Sequence, residues 1–119
     1  MTNTHENMAE RMKASYAGES DQRRAAVQLL AEHGRWLRHP TFISAAVVDP
    51  NADVPRIAWG RARKAFDAGE FKGSTSEMAV LDLAIDLGDD RFRFGSMGYA
   101  HRDFILAALS TALGKDDAR

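Results

Sequence analysis

The side chains able to do chemistry are few and scattered. Four histidines, His5, His33, His39 and His101, stand far apart, with no His-x-x-x-His spacing. A metal site needs three or four converging ligands, so these read as surface or core-edge histidines. Cysteine is absent, which removes disulfides, thiolate nucleophiles, Cys-based zinc sites and iron–sulfur clusters. Asp82, Asp86 and Asp89 recur along one side of an apolar segment. Hard cations favour carboxylates, but a helical stripe splays them, and a solvated face is the plainer reading. Gly95-Ser96-Met97-Gly98 precedes another apolar segment. A helix start can hold phosphate, but no Lys follows and the longer glycine pattern is missing, so a cap and hinge is expected there. No Gly-x-Ser-x-Gly elbow, phosphate loop, dinucleotide turn or His-Glu-x-x-His occurs. These observations predict a non-enzymatic protein without catalytic residues, metal or cofactor.

Two sets of residues remain for binding. Trp36, Trp59 and Arg61 are of the types that dominate interface energies, and both tryptophans fall at the edges of predicted helices. They are the candidate protein-binding residues, with a core-lid role for the tryptophans as the alternative. Arg56, Arg61, Arg63 and Lys64 form the basic side of a predicted helix and can meet phosphates. They are the candidate nucleic-acid surface of the alternative function, a small DNA-binding regulator. That segment has few Asn, Gln or Ser residues to read base edges.

Charge is unevenly spread although the net value is −1. Between Asp21 and Lys64 there are eight basic residues and four acids; from Ala65 onward there are six and ten. The two halves can neutralise each other within a chain, or between chains in a symmetric dimer. Asp86, Asp89 and Asp90 lie at a predicted helix C-terminus, where the macrodipole disfavours negative charge by about 0.3–1 kcal/mol each. Arg91 and Arg93 are positioned to offset them.

The elements behind these residues are mostly helical. The clearest is Ser74–Gly88. Ser74 and Glu77 have capping-box spacing, and Met78, Leu81 and Ile85 share one face. Val80, Ala84 and Leu87 widen that face until most of the circumference is apolar, and Gly88 is expected to end the helix in the left-handed conformation. Before it, residues 1–18 predict a partly frayed helix with a thin stripe of Met8, Met12 and Tyr16. Ser20 or Asp21 caps a helix to about His33, stopped by Gly34, with Arg23 and Arg24 facing out. Arg35–His39 is a connector, and Pro40 opens a helix through Val47-Val48, a β-branched pair that also suits a strand. A further helix spans Pro55–Ala68, with Gly60 allowing close helix approach. Phe92 and Phe94 alternate with Arg91 and Arg93 in a short extended connector that plugs the core. A last helix runs from Ala100 to Leu113, stopped by Gly114.

Within Ser74–Gly114, the pattern S-x-S-E-x-x-x-L-x-x-A-x-x-L followed by an Arg-Asp dipeptide opening an apolar helix is carried by Ser74, Ser76, Glu77, Leu81, Ala84, Leu87, Arg102, Asp103, Leu106, Ala108 and Gly114. It resembles the C-terminal part of short helical proteins common in actinobacteria and their plasmids and phages. The resemblance implies a small accessory protein from a high-GC genome; the use of twelve Arg against four Lys agrees. It brings no catalytic residue.

The sequence as a whole therefore predicts one all-α domain over residues 1–119. The expected architecture is a bundle of five or six short helices, with Ser74–Gly88 and Ala100–Leu113 as an antiparallel C-terminal pair and 115–119 as a flexible tail. With 119 residues and 45% hydrophobic composition, a single core is affordable. No segment is long enough to span a bilayer, and the polar start lacks a signal-peptide apolar region, so a cytoplasmic location is expected. The expected function is protein interaction or modulation, with a host protein as partner, a homodimer as a further possibility and DNA as the alternative.

Overall fold

A computed structural model describes residues 4–89 and 99–114. The chain is an all-α bundle. Its helices are α1 (Thr4–Ser15), α2 (Asp21–His33), α3 (Pro40–Ala46), α4 (Trp59–Asp67), α5 (Thr75–Gly88) and α6 (Tyr99–Ala112). A 3₁₀ turn covers Trp36–Arg38, and a two-stranded antiparallel hairpin joins β1 (Val47–Val48) to β2 (Arg56–Ile57).

Local chemistry sets the ends of α2 and α5. The Ser20 side chain accepts from the Arg23 amide, and Gly34 closes α2 at φ 85° with its N–H on Leu30 O. At α5 both halves of the capping box form: Glu77 N–H donates to Ser74 Oγ at 3.2 Å, and Ser74 N–H donates to Glu77 Oε1 at 2.8 Å. The buried stripes Ala26/Val27/Leu30 of α2 and Leu81/Ala84/Ile85 of α5 make the central helix pair. The antiparallel partner expected for α5 was the C-terminal helix; the helix that lies along it is α2. The physical reason is complementary: α2 brings an apolar stripe, and its first turn also serves the open carbonyls at the end of α5. Gln22 Nε2 donates to Leu87 O at 3.2 Å and Arg23 Nε to Gly88 O at 3.0 Å.

The N-terminal stripe is a full core face. Met8, Met12 and Tyr16 are all buried. The Tyr16 hydroxyl accepts from Ile57 N at 3.0 Å and faces Ile57 O at 3.3 Å, tying the end of α1 to β2. Arg11 adds a second tie, donating to Pro50 O at 2.9 Å in the hairpin loop.

Two predicted helices are shorter than expected. The helix opened by Pro40 stops at Ala46, because Val47 and Val48 pair with Ile57 and Arg56. The same pairing removes Pro55–Ala58 from the next helix, which starts at Trp59. Asp49 turns the chain out of β1 at φ 51°, the left-handed region that Asp tolerates better than most residues.

Two glycines also act differently from their sequence reading. Gly60 is exposed with open space around it, so it marks no close approach. Gly88 is the last helical residue of α5 and not a left-handed cap. Its missing side chain makes room for Trp59, whose ring atoms would lie 2.3–2.4 Å from a Cβ there.

The connector residues Arg91, Phe92, Arg93 and Phe94, together with Asp90, Gly95–Gly98 and the tail 115–119, lie outside the described residues.

Candidate interaction surface

Both candidate tryptophans are structural. Trp36 is fully buried, and its indole N–H donates to Glu77 O at 3.1 Å. Its ring centroid lies 6.4 Å from Phe42 and 6.1 Å from Phe71. Trp59 is 7% exposed and meets Tyr16 edge-on at 6.2 Å, over Gly88. Neither indole can anchor a partner without leaving the core, which corrects their assignment as protein-binding residues. The cause is non-local: a helix-edge tryptophan becomes a lid once another element supplies a glycine or an aromatic cluster beneath it.

The four basic candidates are also divided. Arg56 sits on β2, away from the helix that carries the other three. It donates to Ser15 O at 3.0 Å and Glu19 Oε2 at 2.7 Å, with its guanidinium 4.1 Å from the Tyr16 ring centroid. The Arg56 hydrogen bond holds the Glu19 carboxyl below its ordinary range. Arg63, its side chain 13% exposed, bridges α4 to α5 through Asp82 Oδ1 at 2.8 Å and Asp86 Oδ1 at 2.5 Å. Burial works against its charge, but the hydrogen bond to Asp82 and the Asp86 and Asp82 charges prevail, raising its pKa above the ordinary value. Only Arg61 and Lys64 remain exposed on α4.

The ion pairs also show how the two unevenly charged halves meet. Arg63 with Asp82 and Asp86, and Arg35 with Glu77 at 3.5 Å, join them inside one chain. Among the described residues, Gln22 and Arg23 serve the carbonyls at the end of α5 and Arg63 pairs with Asp86; the offset expected from Arg91 and Arg93 lies outside the described residues. Among the described residues no group of three or more His, Asp or Glu side chains is placed to hold a metal. No described helix is long and apolar enough to cross a membrane.

An open groove lies between the end of α2 and the start of α3, lined by His33, Arg35, Arg38, His39 and Glu77. Arg35 is committed there, donating to Lys72 O at 2.6 Å and pairing with Glu77. Glu32 and Glu77 offset the remaining positive charge, so the groove forms no focused anion site.

The surface that stands out is α6. Phe104 is 71% exposed, Leu106 63%, Leu109 49% and Leu113 74%. At 100° per residue, Phe104, Ala108, Ala112, Ile105, Leu109, Leu113 and Leu106 follow one another round more than half the helix circumference. From Phe104 to Leu113 there is no charged residue. Of the α6 residues whose burial is described, His101 and Asp103 to Ala112, none belongs to the buried core, and among the described residues α6 shares no extensive contact with another element. A monomer seldom exposes so continuous an apolar surface without a use for it.

Comparison with protein-family models, curated proteins and solved structures finds no match. The site therefore rests on its own geometry. The signal for α6 was present in the sequence as the apolar helix after Arg102-Asp103. It reads there as a core helix, because periodicity does not distinguish an apolar face that meets its own core from one that meets another molecule.

Proposed function

We propose that this protein is a non-enzymatic interaction module whose binding element is α6. The observation that carries the reading is the exposure of Phe104, Leu106, Leu109 and Leu113 along a stretch, Phe104 to Leu113, that holds no charged residue. A helix of 14 residues is marginal alone in water, so α6 is fully stabilised when another polypeptide offers it an apolar helical face. This is the helix-in-groove mode of recognition, read through anchors three and four residues apart. The rest of the molecule forms a body with its own core, to which α6 is appended. A protein partner in a host cell is the setting that the resemblance to plasmid and phage accessory proteins suggests.

The test compares the wild-type chain with Leu106→Glu/Leu109→Glu as immobilised baits, with far-UV circular dichroism as the folding control. The reading expects a protein retained by the wild type and lost by the variant, with the interaction reproduced from purified components. An unchanged set of retained proteins on a folded variant overturns it.

A further inference from the structure

We draw no further inference here: the strongest candidate, the exposed apolar face of α6 from Phe104 to Leu113, belongs to the surface already described, and nothing in the structure shows what covers it.

Discussion

At Gly88 a single hydrogen atom decides whether α4 can lie on α5. Replacing glycine by alanine inside a helix ordinarily gains about 1 kcal/mol. At Gly88 the added Cβ would stand 2.3 Å from the Trp59 ring, and displacing a buried indole costs about 1–3 kcal/mol. Gly88→Ala is therefore expected to lower the melting temperature. Gly60→Ala, on an exposed position with open space around it, is expected to raise it. Thermal denaturation of the two variants checks both signs, and a stabilised Gly88→Ala would show that Trp59 does not rest on this glycine. The capping box makes a second residue-scale prediction. Ser74→Ala should destabilise by about 1 kcal/mol through loss of the cap. The amide of Ser74 also holds the Glu77 carboxyl below its ordinary value of 4.5, with Arg35 assisting. A carboxyl depressed on folding binds fewer protons in the native chain than in the unfolded one. Its stabilisation is complete above about pH 4.5 and is lost as pH falls through the lowered native value. Glu77→Gln keeps the capping geometry without the titration, so its melting temperature should fall less steeply than the wild type's on acidification below about pH 4.5. Parallel acid slopes would contradict the assignment.

At the scale of elements, what was legible in the sequence was what adjacent residues decide. Ser20 and Gly34 bracket α2, Ser74 and Glu77 start α5, and Gly114 turns left-handed after α6. What was not legible depends on residues far apart in the chain. Val47-Val48 fits either a helix or a strand until Arg56-Ile57 comes alongside, and that pairing then fixes the start of α4 at Trp59. The same limit hid the candidate site. Arg63 looks like a solvated base until α5 brings Asp82 and Asp86 to it. Trp36 and Trp59 look free until Phe71 and Gly88 arrive from later elements. The apolar width of α5 and of α6 was visible; which helix each would meet was not. Arg63→Gln is expected to lower stability by about 1–3 kcal/mol, because it weakens charged hydrogen bonds between α4 and α5. Urea denaturation measures this directly, and no change would mean that the bridge is ornamental. Removal of 99–119 has a different expectation. Since no α6 residue whose burial is described belongs to the buried core, the shortened chain should still unfold cooperatively. Loss of cooperativity would place α6 in the core.

At the scale of the whole molecule, the radius of gyration is 15.2 Å, against about 13.5 Å for a compact domain of this length. The excess fits a body with an appended helix. Within that body the two unevenly charged halves meet through Arg63 and Arg35, in a chain whose net charge is −1. Weak attachment to nucleic acid is the expected outcome. Of the four basic candidates, Arg56 and Arg63 are engaged internally, and Arg61 and Lys64 offer about two phosphate contacts, too few for the steep salt dependence of a DNA-binding protein. The protein should not shift onto random duplex DNA at low salt in a sizing experiment; retention that is released as salt rises would restore the regulator reading. Hydrogen exchange of the α6 amides across protein concentration bears most directly on the claim that α6 is a binding element appended to a self-sufficient body. In dilute solution α6 should exchange rapidly while α2 and α5 stay protected. An α6 as well protected as α2 at the lowest concentration would contradict the account, because it would mean that α6 is already covered by its own chain.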